Sequence, residues 1–378
     1  MSIYLDNAAT TQVCPEAIAA AAQAMGECYG NPSSTHKMGR DAKRLLDSAR
    51  STVAKAMGCR PEELYFTSCG SESDNWAIIR AAEYHRRGKH IISSTAEHQA
   101  VLKSMAYLEK QGFEVSYLDP MPDGSIHVEQ VMQTLRPDTA LVSLMMVNNE
   151  TGAITDIAAI AAAMKKAGSK AYLHTDAVQA FLKVPFSAKS LGADLISISG
   201  HKIHAPKGVG ALYIRQGLPL PPYLLGGSQE QGRRAGTEAI PQIAAFAAAV
   251  QAAWPQQREH AAAMAQLRDH AIRRLTNENE GLTVLGGGAP HILSVSLPGY
   301  RSEVLMNYLE GREIYVSKSS ACKKGGRSHV LEAMGLKSDV IDGAIRVSFS
   351  RMNTREDVDA FCDALAKARE ELRAALRR

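Results

Sequence analysis

Seven short apolar runs rich in β-forming residues recur between Leu64 and Ile214: residues 64–67, 90–93, 114–118, 140–147, 171–175, 194–199 and 211–214. Helical stretches at 74–87, 98–111, 128–135 and 156–167 separate most of them. A helix between two strands carries the chain back across a sheet face, so strand–helix alternation argues for a mainly parallel sheet with helices on both faces. The expected fold class is therefore α/β, a mainly parallel seven-stranded sheet flanked by helices.

The rest of the chain is organised around that unit. Pro15 suits the first turn of a helix running to about Gly26, GNPSSTH at 30–36 is loop, and an amphipathic helix from about Gly39 to Met57 stops at Gly58. The alanine-rich tract 243–254 reads as packed helix, because alanine is the best helix former. A long helix near 256–277 leads into a region of different rhythm. It has strands near 291–296, 313–316 and 344–349 and helices at 302–310, 329–334 and 354–376. The domain change is placed near residues 250–260: residues 16–255 form the large domain, and 256–378 a smaller α+β domain that the segment 1–15 joins.

Bulk properties remove several function classes. Basic residues number 43 against 39 acidic ones, and a net charge of +4 does not argue for nucleic acid. No apolar run reaches the ~18–20 residues that span a bilayer. The start, MSIYLDNAATT, lacks a basic stretch followed by an apolar core, so no signal peptide is expected. The six cysteines (14, 28, 59, 69, 322 and 362) are scattered without a C-x-x-C pair, which argues against zinc and against a disulfide framework. A cytoplasmic protein with no metal fits these features.

Ligands of an open parallel sheet collect at the carboxyl ends of its strands. Here those ends carry Thr67-Ser68-Cys69-Gly70-Ser71, Glu97-His98, Asn148-Asn149-Glu150, Asp176 with Gln179, and Ser199-Gly200-His201-Lys202. Taken singly, each has an ordinary explanation: Asp176 could cap a helix, His98 could be a surface imidazole, and Lys202 could sit at an exposed strand exit. Five strands delivering polar groups to one edge make a ligand site the better reading. A lysine ending a buried strand is partly desolvated and loses its proton more readily, as Schiff-base chemistry requires. Gly70 and Ser71 open a helix near Ser73, whose free N–H groups suit a phosphate. Asp176 could hold a pyridine nitrogen protonated, His98 could lie against a flat ring, and Arg346 could clamp a carboxylate. The set points toward pyridoxal phosphate. His201 and His204 leave a weaker metal-binding reading.

Nine motifs then match one family in order: YLDNAATT (4–11), GNPSSTHKMGR (30–40), TSCGSESDN (67–75), AEHQAV (96–101), VNNETG (147–152), HTDAVQ (174–179), SGHKIHAPKGVGALY (199–213), RRAGTEAI (233–240) and SSAC (319–322). Over nearly its whole length the chain resembles the NifS/IscS-type cysteine desulfurases, fold-type I pyridoxal phosphate enzymes of the class V aminotransferase family. The resemblance implies that Lys202 holds the cofactor covalently and that His98 stacks on the ring and shuttles protons. It pairs Asp176 with the pyridine nitrogen and Gln179 with the phenolic oxygen. Gly70, Ser71, Ser199 and His201 would hold the phosphate, joined by Thr237 from the other subunit of a homodimer. Asn149 and Arg346 would bind the substrate carboxylate.

Cys322 matches the family's nucleophile. It lies in SKSSACKKGGRS, where Lys323 and Lys324 favour the thiolate. L-cysteine would lose its α-proton, the Cys322 thiolate would attack the substrate sulfur, and an enzyme persulfide and alanine would form. The persulfide would pass to an acceptor protein, an iron–sulfur scaffold or a tRNA-thiolation enzyme.

Three departures from the family pattern are visible. Cys69 stands where the family usually has glycine. The segment after Cys322 is about two residues shorter than in housekeeping IscS proteins and carries Lys-Lys-Gly-Gly, and the sequence stops at Arg378 soon after its last helix. These favour tRNA thiolation as the sulfur's destination. The competing readings are a selenocysteine lyase or other β-lyase, which needs no thiol, and a sulfur-relay or scaffold protein without catalysis.

Overall fold

A computed structural model describes residues 2–85, 88–318 and 326–376. Cys322, Lys323 and Lys324 lie outside the described residues.

The chain opens with strand β1 (Ile3–Tyr4) and helices α1 (Pro15–Glu27) and α2 (Lys37–Met57). Pro15 begins α1, and Gly58 ends α2 in the left-handed conformation (φ 69°) that spares glycine a Cβ clash. Then follow β2 (Leu64–Thr67), α3 (Gly70–Tyr84), β3 (His90–Ser94), α4 (Gln99–Lys110), β4 (Glu114–Leu118), α5 (Val128–Thr134), β5 (Thr139–Ser143), α6 (Ile157–Lys166), β6 (Tyr172–Asp176), α7 (Ala188–Leu191), β7 (Leu195–Ser199) and β8 (Gly210–Ile214). The seven strands β2 to β8 form one sheet in the order β2-β8-β7-β6-β5-β3-β4.

Pairing from β7 through β6, β5 and β3 to β4 is parallel, while β8 runs antiparallel to both β7 and β2. No helix of crossover length separates β7 from β8, only the turn of residues 200–209, so β8 has to return in the opposite sense. Because both flank β8, β2 and β7 point the same way, and their carboxyl ends share an edge with those of β3, β5 and β6.

Period-two burial divides the side chains between the faces. Tyr65, Ile91, Leu141, Leu195 and Leu212 pack against α3 and α4. Phe66, Ile92, Val142, Ile196 and Ile198 share the other face with α1, α2 and the alanine-rich α8 (Ile240–Ala253).

The C-terminal region comprises α9 (Gln257–Glu278), β9 (Thr283–Val284), β10 (Ile292–Ser296), α10 (Ser302–Glu310), β11 (Ile314–Tyr315), β12 (Ser317–Lys318), α11 (His329–Ala333), α12 (Ser338–Asp342), β13 (Ala344–Ser348) and α13 (Arg355–Leu376). An antiparallel sheet of order β12-β13-β10-β9 shares a separate apolar core with α9, α10 and α13. The N-terminus is part of that core: β1 pairs with β11, and Leu5 is fully buried in it.

Two boundaries differ from the sequence expectation. Helix α3 begins at Gly70 rather than near residue 74, since its first turn needs no side-chain cap. The run 140–147 leaves the ladder after Ser143. Leu144 and Met146 still donate to the carbonyls of His174 and Asp176, but Asn148 turns the chain by accepting the N–H groups of Glu150 and Thr151 at 2.9 and 3.0 Å.

Candidate active site

The five strand ends meet at a cavity of about 300 Å³, closed from the far side by the N-terminal segment and β13. Gly70, Ser71, His98, Asn149, Asp176, Gln179, Ser199, His201, Lys202 and Arg346 all line it. Thr237 does not; it is exposed in the loop before α8. That loop is nevertheless tied to the cavity wall, because Arg234 pairs with Glu72 in the first turn of α3 at 2.8 Å.

One end of the cavity is built for an anion. Cys69, the residue before α3, makes no side-chain cap, so the first N–H groups of a 15-residue helix are left without one. Ser199 Oγ, at the end of β7, is buried with no hydrogen-bond partner among the described residues. A Cβ on Gly70 would stand 2.8 Å from Val178 Cγ2 and 3.5 Å from Ser199 Cβ, so only glycine lets these walls close on the helix start. His201, in the single helical turn Gly200–Lys202, contacts Thr10 Oγ1 at 3.2 Å. Burial and the cations of Lys202, Lys183 and Lys207 push its pKa down to about 3, so it is a neutral imidazole. His204 does not converge with it: its Nδ1 donates to the Gln12 carbonyl at 2.8 Å, so both imidazoles serve the N-terminal segment.

The other end holds an acid and an imidazole. Asp176 ends β6, is buried, and accepts the Val178 N–H at 2.8 Å. Burial raises its pKa, opposed first by the charge of His98. His98 precedes α4, and its Nδ1 accepts the Ala100 N–H at 3.2 Å, which places the proton of the neutral ring on Nε2. Burial lowers its pKa, with Asp176 acting against that.

Lys202 reaches between these ends. Its Nζ donates to the carbonyls of Ala8 and Ala9 at 2.6 and 2.7 Å. The amide of Gln179 is fixed in orientation. Its Nε2 donates to the Ala8 carbonyl at 2.8 Å, and its Oε1 accepts from Lys183 at 3.4 Å and His291 at 3.3 Å.

At the substrate-sized margin, Arg346 on β13 donates to the Asn149 carbonyl at 2.7 Å and pairs with Asp6 at 2.9 Å. Its Nε is buried without a partner among the described residues. Glu150 beside Asn149 accepts from Ser328 at the start of α11, and burial raises its pKa to about 7.

The sequence reading missed five contributors to this region: the carbonyls of Ala8 and Ala9, the buried side chains of Asp74 and Lys183, and the half-buried Asp6. Asp74 follows Gly70 by four residues on a helix, one turn along the same face, a spacing that carried the available signal. The lysine of Lys183 has its pKa driven well below the usual range by burial and by the charge of Lys202.

These residues fit pyridoxal phosphate. An uncapped helix start and an orphaned buried hydroxyl offer donors to a phosphate, a lysine stands within the same cavity, and a buried carboxyl with a neutral imidazole offers the partners a pyridine ring requires.

Known proteins align with the chain along its length. The sequence profile of the family described as aminotransferase class-V matches residues 3–361. A cysteine desulfurase IscS of Methanosarcina thermophila is 42% identical over 98% of this chain and 93% of its own length. Among solved structures, a NifS-like protein superposes with a TM-score of 0.91 at 39% identity, covering 97% of this chain and 99% of that one. SspA, solved in complex with cysteine, superposes at 0.83 with 30% identity over 93% of this chain and 100% of its own.

Proposed function

The chain belongs to the aminotransferase class-V family, and on that premise we propose that it is a pyridoxal phosphate-dependent cysteine desulfurase that converts L-cysteine to L-alanine and retains the sulfur as a persulfide on Cys322. The observation that carries this reading is the cavity itself, where Lys202, Asp176 and His98 face one another beside the open start of α3.

When bound, the cofactor supplies an electron sink for the pair left on the substrate Cα after its proton departs. The chain's own groups do the rest. The first turn of α3, from Gly70, with Ser71, Ser199 and His201 would hold the phosphate, and Thr237 of a second protomer would join them in a homodimer. Asp176 would pair with the ring nitrogen, and the fixed amide of Gln179 would serve the phenolic oxygen. Arg346 has spent two of its five N–H groups on Asn149 and Asp6, so the remainder, with Asn149, takes the substrate carboxylate. Lys202 Nζ and His98 Nε2 are the groups placed to take and return protons. The Cys322 thiolate then forms an S–S bond to the substrate sulfur as the Cβ–S bond breaks, and a proton on Cβ completes alanine.

The same reading divides the chain into residues 16–255 and 256–378, with 1–15 joining the latter, and places it in the cytoplasm. No helix among the described residues is long and apolar enough to cross a membrane. The sulfur goes to an acceptor protein, of iron–sulfur assembly or tRNA thiolation, the short Lys-Lys-Gly-Gly segment favouring the second.

Mass spectrometry of the holoenzyme after brief exposure to L-cysteine, with alanine assayed alongside, tests the reading. A gain of one sulfur on the Cys322 peptide is expected, and both that gain and alanine should disappear in Cys322→Ser. Turnover persisting in that variant would make the protein a β-lyase instead.

A further inference from the structure

A second carboxyl, Asp74, is buried beside Asp176 and has no part in the chemistry assigned to the cavity. It is 1% exposed, on α3 one turn beyond Gly70. One polar side-chain atom from each of Asp74, Asp176 and His98 lies within 4.8 Å of the other two. Two carboxylates so close in a site shielded from water do not both ionise; they share one proton.

The surroundings decide which of them carries it. Asp176 accepts the Val178 N–H and faces His98 and Lys202, which stabilise an anion. Asp74 has less help: Ser197 gives it a hydrogen bond that favours the anion, but its Oδ1 receives none from the described residues. The imidazole of His174 stands 3.6 Å from that oxygen, but its two nitrogens are engaged by Ser143 at 2.8 Å and Ser197 at 3.0 Å. Burial pushes His174 down to about 3, so it brings no positive charge. Burial is the main force against the ionisation of Asp74, and the charge of Asp176 comes next.

We propose that Asp74 is a positioning residue, a neutral carboxylic acid that carries the pair's single proton and thereby keeps Asp176 the anion at the ring end of the cavity. It acts through Asp176, and because it sits on the helix whose start faces the phosphate end, one helix serves both ends of the cofactor. Its consequence for the cofactor rests on the reading that Asp176 meets the ring nitrogen; the position of the proton does not.

Infrared difference spectroscopy of the holoenzyme at pH 7, parent minus Asp74→Asn, locates the proton. Loss of a carboxylic-acid carbonyl band is expected, and loss of carboxylate bands would overturn the proposal. Should the variant fail to fold, the parent grown with carbon-13 aspartate, compared with labelled Asp176→Asn, tests the same point: the band should persist when Asp176 is replaced. A carboxylic-acid band that shifts belongs to an aspartate, since Glu97 and Glu150 are unlabelled, and its absence overturns the proposal. Where Asp74→Asn folds, its affinity for pyridoxal phosphate should stay within about threefold of the parent, because the amide is an isostere of the neutral acid, and a loss beyond ~10-fold overturns it. Alanine formation by the parent reports separately on the desulfurase reading, so either conclusion can fail without the other.

Discussion

Removing the Ser199 hydroxyl should move two quantities in opposite directions. The oxygen is buried at the end of β7 with no partner among the described residues, and the Cβ position of Gly70 faces it from the start of α3. A buried polar atom without a hydrogen bond costs about 1–3 kcal/mol relative to its hydrated state. In cofactor-free protein Ser199→Ala should therefore be neutral or stabilising by up to ~1 kcal/mol, the gain being reduced because a hydroxyl can rotate toward any weak acceptor. With the cofactor present the same hydroxyl donates to a charged phosphate, a bond worth about 1.5–3 kcal/mol. Its loss should weaken pyridoxal phosphate binding by roughly 10- to 150-fold. Urea unfolding of cofactor-free parent and variant measures the first effect. Absorbance titration with pyridoxal phosphate measures the second, in a Lys202→Ala background so that covalent attachment does not mask it. A variant destabilised by more than ~1 kcal/mol would show that the hydroxyl has a structural partner. Unchanged affinity would show that the phosphate lies elsewhere. Either result refutes the reasoning.

Two further outcomes are expected. Arg50 and Glu230 form a buried two-point ion pair at 2.6 and 2.7 Å, and Glu230 also accepts the Phe66 N–H at 2.9 Å, so the pair fastens strand β2 to the loop that carries Thr237. Glu230→Gln leaves the guanidinium buried without its counter-charge and should cost ~3 kcal/mol in urea unfolding; a change below ~1 kcal/mol would mean that water reaches the pair. Glu97 is buried, and burial raises its pKa from 4.5 to about 8 although it accepts the Met145 N–H. An acid raised in the folded state contributes fully below its unfolded pKa and loses that contribution as pH rises through the folded one. The parent should therefore lose stability relative to Glu97→Gln between about pH 4.5 and 8, as read from unfolding curves across that window. Parallel curves would place the Glu97 carboxylate in contact with solvent.

Much of the site was readable because its residues follow strands that announce themselves. Asp176, Lys202, Gly70 and His98 each come directly after a β-rich run, and the parallel-sheet rule carries those ends to one edge without knowledge of the packing. Helix ends were readable where proline or glycine marks them, as at Pro15 and Gly58. The onset of α3 was not, because Cys69-Gly70-Ser71 has the composition of a turn and no capping side chain. Arg346 was legible as a carboxylate ligand, but not its ion pair with Asp6, 340 residues away in sequence. Nor could Lys183 be singled out, since a lysine in AFLKVP reads as a solvated side chain until a second core closes over it.

The division has a physical cause. Secondary structure and the parallel sense of most strands follow from local periodicity and chain reversal, which are written in neighbouring residues, and with them comes the list of groups at the sheet's edge. Charge states follow from desolvation and from partners brought in across the sheet. That Asp74 lies against Asp176, that His201 and His174 are neutral, and that the carbonyls of Ala8 and Ala9 hold Lys202 were decided only when the N-terminal segment, α3 and β13 packed around one cavity.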